Sequence, residues 1–313
     1  MTRAEKCYRK SRREFLAAVV AGAAVAALGP GRRGHASPST KGPTMVTKKI
    51  PASGEELPVI GLGTYDTFDV ASADEKAPLI EVMRAFIGAG GRVVDSSPMY
   101  GRSEGVVGEV LAALGKPKMF LATKVWTTGK RAGEEQMQKS MKLMGADKMD
   151  LMQIHNLQDW RTHIQTLRDW KAAGTIRYLG ITHYQGGAFS EMEQIIRKEK
   201  IDFVQLPYSL GSLEAEKRLL PAAAEHGVAV LVMRPFEKGG LFQRVKDKPL
   251  PDWAAELGIA SWAQYFLKFI VSHPAVTCAI PATSKTKHLL DNVAAGAAPM
   301  PDEAQRKRMA SLF

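Results

Sequence analysis

Eight short apolar runs, each followed by a stretch of helical periodicity, constrain this chain more than any other feature. The runs are VIGLGT (59–64), VVD (93–95), MFLATK (119–124), DLMQIH (150–155), IRYLGI (176–181), FVQL (203–206), VAVLVM (228–233) and VTCAI (276–280). Helical patterns occupy 75–89, 103–114, 133–145, 161–173, 188–198, 213–226, 252–272 and 285–296, with a last one at 302–312. Strands that alternate with helices pair in parallel, because each crossover returns the chain to the same sheet end. Eight such units predict an α/β chain closed into a (β/α)8 TIM barrel. An open doubly wound sheet would want a G-x-G-x-x-G turn after the first strand. Gly61-Leu62-Gly63 lacks the third glycine and does not run straight into a helix. Before the first unit, 48–50 and 57–59 flank PASGEE and predict a hairpin.

The head of the chain reads differently. Residues 1–36 hold eight Lys/Arg and two Glu. Removing them takes the formal net charge from +11 to +5, so the body carries no basic stripe and no nucleic-acid role is expected. Ser11-Arg12-Arg13-Glu14-Phe15-Leu16 precedes thirteen small apolar residues, AAVVAGAAVAALG. A basic head, a short apolar region and a small-residue exit form a secretory signal, too short for a stable membrane anchor. The paired arginines resemble the twin-arginine (Tat) export signal. Gly34-His35-Ala36 places cleavage after Ala36. The expected organisation is a signal peptide at 1–36, a Pro/Ser/Thr-rich linker at 37–47 and the barrel at 48–313. The expected destination is the periplasm, with the Tat machinery as partner. Cys7 and Cys278 cannot form a disulfide framework, since Cys7 lies in the removed segment.

Chemistry in parallel α/β folds sits at the C-terminal ends of strands. Asp95 ends the second run, Lys124 the third and His155 the fourth, and Tyr100 lies on the loop after Asp95. Taken alone, each has an ordinary structural explanation. Together they address one problem. A phenol with a reference pKa of about 10 is a poor acid at neutral pH. A neighbouring ammonium favours the phenolate and lowers that value, and a carboxylate keeps the ammonium charged and aimed. A histidine beside the same oxygen can orient a carbonyl.

In VVDSSPMYG, TKVW and MQIHN, these four residues match the catalytic tetrad of the aldo-keto reductases, which the chain resembles from about Lys48 to about Ala295. GLGTYD and IPATSKTKHLLDN belong to the same resemblance. It implies a barrel that binds a nicotinamide cofactor across its mouth and reduces aldehyde or ketone carbonyls to alcohols by hydride transfer. Tyr100 would be the general acid, Lys124 and Asp95 its tuning pair and His155 the carbonyl orienter. Gly63, Thr64, Tyr65, Asp95, Asn156 and Gln205 would line the cofactor site. Thr182-His183 stand where the family has Ser-Asn. Met233 replaces the usual stacking aromatic, with Arg234 beside it. At the adenosine end, Ala282 and His288 replace the usual phosphate-gripping Lys and Arg. By the same resemblance, Thr283, Ser284, Lys285 and Lys287 would supply the phosphate contacts instead, and Asn292 would be the adenine contact. Family habit and this local charge favour NADP(H), with NAD(H) possible, and no metal is expected. Tyr65, Trp126 and His155 are the expected substrate contacts, and Phe68, Trp160 and Tyr184 lie on or near the mouth loops. Export raises a second reading, since the bacterial envelope has no obvious supply of reduced nicotinamide. The barrel would then be an exported cofactor-binding, redox-sensing module on a reductase scaffold. Oligomeric state does not follow from the sequence.

Overall fold

A computed structural model describes residues 44–313, so the signal expected at 1–36 and most of the linker expected at 37–47 lie outside the described residues. The folded body begins slightly before Lys48. Met45 is buried and bridges to Ala297, and Thr47 already belongs to strand β1 (Thr47–Lys49). Both Met45 and Val46 are apolar and pack on the core, which draws the end of the expected linker into the fold. Strand β1 pairs antiparallel with β2 (Glu56–Pro58), forming the expected hairpin.

Eight parallel strands follow: β3 (Leu62–Gly63), β4 (Val93–Asp95), β5 (Phe120–Val125), β6 (Met149–His155), β7 (Ile176–Thr182), β8 (Phe203–Pro207), β9 (Ala229–Met233) and β10 (Cys278–Ala279). They lie side by side in chain order. Parallel bridges from Ile60 to Ala279 and from Gly63 to Ala282 join the first strand to the last and close the TIM barrel. The seam is tight. A Cβ on Gly63 would lie 2.7 Å from the Ile280 carbonyl oxygen, so only glycine fits there.

Strand periodicity divides each strand between two cores. Val93, Phe120, Leu151, Tyr178, Phe203, Ala229 and Leu231 point inward and fill the lower barrel with Ile50 and Leu57 from the hairpin. Val94, Met152, Ile154, Ile181, Val204 and Val230 point outward to a larger core shared with the helices. Inward positions nearer the C-terminal strand ends are polar instead: Asp95, Lys124, Gln153, His155, Thr182 and Gln205 are all buried. That polar layer is the floor of the site.

Two helical stretches differ from expectation. The pattern at 213–226 forms two helices, Glu214–Lys217 and Leu219–Glu225, parted at Arg218 with φ −137°. Pro221 sits in the first turn of the second, where its missing N–H costs nothing. The pattern at 252–272 is a 3-10 turn (Asp252–Leu257) ended by Gly258 at φ +63°, then a helix Trp262–Ser272 whose Ser261 cap accepts from the Gln264 N–H. Its apolar periodicity reflects one continuous packing surface rather than one helix. A short helix Gly240–Arg244 in the β9–β10 connection was not legible in the sequence.

Candidate active site

Asp95 and Lys124 meet at the centre of the polar layer. Lys124 Nζ donates to Asp95 Oδ1 at 2.6 Å and to the Ser96 carbonyl oxygen at 2.6 Å. Neither side chain is more than 3% exposed, so this is an ion pair without water screening. Burial alone would lower the Lys124 value, but the Asp95 charge reverses it, followed by Tyr100, and the ammonium is held above its ordinary range. Asp95 Oδ2 accepts two further bonds, from Gln153 Nε2 at 3.0 Å and from Gln205 Nε2 at 2.9 Å.

Tyr100 is positioned by the loop that follows β4. Its N–H donates to the Ser97 carbonyl at 3.0 Å. Gly101 turns the chain at φ +61°, where a Cβ would collide with the Asp69 carboxylate. The Arg102 N–H and guanidinium both donate to that carboxylate, at 3.0 and 3.1 Å. The Tyr100 ring then lies 5.0 Å from Lys124 Nζ, 5.1 Å from the Tyr65 ring and 5.8 Å from the His155 ring. The net shift of Tyr100 corrects the sequence expectation. Burial pushes the phenol above its ordinary value, Lys124 opposes this, and Asp95 adds to it. Desolvation outweighs the ammonium because Lys124 is itself neutralised by Asp95.

His155 is held neutral. Burial first, then Lys124 and His183, lower it to about 3. Ser97 Oγ lies 2.9 Å from His155 Nδ1 and already accepts from the Met99 N–H at 3.2 Å. In the tautomer protonated at Nε2, Nδ1 of His155 accepts from the Ser97 hydroxyl. The linkage has a defined sign. A histidine depressed on folding contributes stability that is complete above about 6.5 and is lost as pH falls towards 3, because only the unfolded chain takes the proton. His273, lowered by burial to about 4, acts in the same sense. The melting temperature should fall between pH 6.5 and 4, and His155→Gln should make that fall shallower. An unchanged slope in the variant would place the acid sensitivity elsewhere.

These groups open into a cavity of about 780 Å³. Gly63, Thr64, Tyr65, Asp95, Tyr100, His155, Asn156, Gln205, Met233 and Arg234 line it. Met99, Tyr184, Phe236, Lys238 and Phe242 complete much of the wall. Thr182 sits behind, its Oγ1 donating to Gln205 Oε1 at 3.2 Å. His183 is outside the lining and stacks on Tyr184, whose ring also lies 4.4 Å from the Arg234 guanidinium. Trp126 is half-exposed, with its ring 6.4 Å from that of His155. Of the other mouth aromatics, Phe68 is fully buried in the outer core and Trp160 donates to Glu191 at 2.7 Å, so neither reaches the cavity. The lining ends at Ala282. Thr283, Ser284, Lys285, His288 and Asn292 continue beyond it, on the loop after β10 and the helix Thr286–Ala294. Lys285 and His288 are exposed, and Asn292 is buried.

Sequence reasoning missed Ser96, Ser97, Gln153, Glu104 and Lys238. Glu104 is buried, accepting from Thr123 Oγ1 and, at 3.0 Å, from Ser140 Oγ, and burial raises its carboxyl above the usual range. Gln153 was legible only as a polar residue two before His155, on the same face of its strand. Backbone strain gathers here too. Asp66, Asn156, Arg234 and Lys238 have φ of 58°, 53°, 53° and 55°. Left-handed backbone in non-glycine residues costs about 1–2 kcal/mol each and clusters at functional sites.

The profile of the aldo/keto reductase family matches residues 59–311, which is nearly all of the described chain. The chain belongs to the aldo/keto reductase family. Methylglyoxal reductase YeaE of Escherichia coli (strain K12) is 28% identical over 259 residues, covering 80% of this chain and 89% of that protein. An NADH-specific methylglyoxal reductase of the same organism is 23% identical over 244 residues, 66% of this chain and 73% of its own length. Among solved structures, an aldo/keto reductase from Klebsiella pneumoniae in complex with NADP and acetate superposes with a TM-score of 0.70 at 25% identity, covering 83% of this chain and 93% of that one. Membership accounts for the barrel. Among the described residues, no group of three or more His, Cys, Asp or Glu could hold a metal.

Proposed function

We propose that this aldo/keto reductase reduces small aldehydes or ketones with NADPH, using Tyr100 as the proton donor. The observation that carries this is the buried Lys124 ammonium, fixed by Asp95 and the Ser96 carbonyl, 5.0 Å from the Tyr100 ring in the wall of the cavity. As the carbonyl oxygen gains charge, the Tyr100 hydroxyl gives it a proton, and Lys124 stabilises the phenolate left behind. The raised value of the phenol keeps it protonated at neutral pH, which suits an acid. His155 is held neutral, and its Nε2–H tautomer donates to the same oxygen and orients it. Tyr65, Met99, Tyr184, Phe236 and Phe242 give the cavity aromatic and apolar walls that suit a small carbonyl compound.

The residues fit a nicotinamide dinucleotide. Asn156 lines the cavity and its Oδ1 is a buried acceptor without a partner, ready for a ligand N–H. Gln205 retains one N–H after bonding Asp95. Arg234 and Lys238 line the cavity and make no ion pair among the described residues, which suits phosphate oxygens. Thr283, Ser284, Lys285, His288 and Asn292 follow on for the adenosine end. A bound reduced nicotinamide supplies the hydride. Lys285 and Lys287 and the NADP complex of the Klebsiella relative support NADP(H), and the NADH-specific relative makes NAD(H) the competitor to test.

The deciding assay follows NADPH and NADH absorbance over residues 37–313 with a reactive aromatic aldehyde. Aldehyde-dependent oxidation supports the reductase. Tight cofactor binding without turnover across many carbonyl compounds would instead favour the redox-sensing module. The same reading sends the chain to the periplasm by the twin-arginine route, supported by Arg12-Arg13 ahead of the apolar run and by Gly34-His35-Ala36. Arg12→Lys with Arg13→Lys should retain the uncleaved chain in the cytoplasm, and unchanged export would remove that part of the reading.

A further inference from the structure

Inside the barrel, Gln153 is fully buried on β6, level with Lys124 on β5 and with Gly180 on β7. Its Nε2 donates to Asp95 Oδ2 at 3.0 Å. Its Oε1 is buried and has no partner. The reverse orientation of the amide would turn that oxygen towards a carboxylate, so the assignment is forced. A buried carbonyl oxygen without a donor is a net cost to the fold, and Leu or Met would fill the same volume without it. Gly180 makes room for the Gln153 stem, since a Cβ there would lie 2.8 Å from the Phe203 carbonyl oxygen and 3.3 Å from Gln153 Cγ. The amide is therefore retained for what its N–H does.

We propose that Gln153 is a positioning residue for the Lys124–Asp95 pair, pinning Oδ2 of Asp95 so that Oδ1 faces the Lys124 ammonium. This rests on the reading that Tyr100 is the proton donor. The carboxylate has two sides. Gln153 and Gln205 hold one, and Lys124 holds the other. With Gln153 gone, Oδ2 keeps only the Gln205 donor, so Asp95 is held less tightly and its charge is less compensated. It then draws Lys124 more strongly and acts more strongly against ionisation of Tyr100. The charged and titratable groups facing Tyr100 are Lys124, Asp95, Tyr65 and His155, and the hydrogen bond that Gln153 donates goes to the Asp95 member of that set.

Gln153→Met removes the donor at nearly constant volume, and Gln153→Asn keeps an amide one methylene too short. Both are compared with wild type for carbonyl reduction, for NADPH affinity, and for the pH dependence of alcohol oxidation, which rises as Tyr100 loses its proton. Both variants should lower kcat roughly 10- to 100-fold, as expected for a misaligned catalytic group. NADPH affinity should stay within about twofold. The rise in oxidation should move about 0.5–1 pH unit higher, the displacement expected from one lost hydrogen bond to a neighbouring charge. Gln153→Met should melt close to wild type, since relief of the unpaired amide oxygen offsets the donor lost from Asp95. Lower melting with wild-type kcat and pH profile in both variants would mean that Gln153 is only a packing residue, and would overturn the proposal. A wild-type enzyme that shows no turnover would instead overturn the Tyr100 reading on which it rests.

Discussion

Tyr100→Phe is expected to lower kcat for carbonyl reduction by about 10³-fold, within the range for loss of a positioned acid. NADPH affinity and KM should change by no more than about twofold. The phenol ring packs against Tyr65 at 5.1 Å and faces Lys124 at 5.0 Å, and a phenylalanine ring keeps both positions. Only the hydroxyl is lost, and with it the proton. A factor of 10³ corresponds to about 4 kcal/mol of transition-state stabilisation. The folded state should be no less stable, because burial already disfavours the ionised phenol. Steady-state kinetics with a reactive aldehyde, beside a cofactor titration, reads all three quantities. Residual activity above about a tenth of wild type would mean that another group delivers the proton, with His155 the nearest candidate.

Lys124→Met should have the largest effect on the fold. It removes the only cation bonded to Asp95 among the described residues, leaving a carboxylate that is 2% exposed with two amide donors. It also strips the donor from the Ser96 carbonyl. Breaking a buried pair from one side typically costs about 3–5 kcal/mol. For a body of this size each kcal/mol lowers the melting temperature by about 2–4 °C. Lys124→Met with Asp95→Asn removes both charges and should recover most of that loss while remaining inactive. A double variant as unstable as the single would show that the cost came from lost packing and not from an unpaired charge. The comparison separates what the pair does for the fold from what Lys124 does for Tyr100.

The barrel was legible because its signal is local and repeated. Apolar runs and helical periods alternate eight times, and parallel pairing in chain order follows from that alternation. Length was less legible than order. VIGLGT gives only the two-residue strand Leu62–Gly63, and VTCAI only Cys278–Ala279. Their flanking residues join through isolated bridges at the barrel seam, and no pattern within either segment reports the other. The break at Arg218 and the 3-10 turn before Trp262 were hidden for a related reason. Both segments keep an unbroken apolar face against the strands, and periodicity reports the face rather than the hydrogen bonds.

Asp95, Tyr100, Lys124 and His155 could be named from the sequence because strand ends are predictable positions and their residue types are chemically unusual there. Their partners could not. Ser97 under His155, Gln153 and Gln205 around Asp95, and Lys238 5.5 Å from the Tyr65 ring all come from contacts far apart in the chain. The direction of the Tyr100 shift was likewise beyond the sequence, which supplies the ammonium but not the depth of burial that outweighs it. The sequence by itself determined the order of strands and helices and which four polar side chains end three of the strands and the loop after Asp95. Tertiary structure alone decided how deeply those side chains are buried and which neighbours satisfy or oppose their charges. Desolvation and hydrogen bonding depend on every element packed around a group, and a linear pattern records only the group itself.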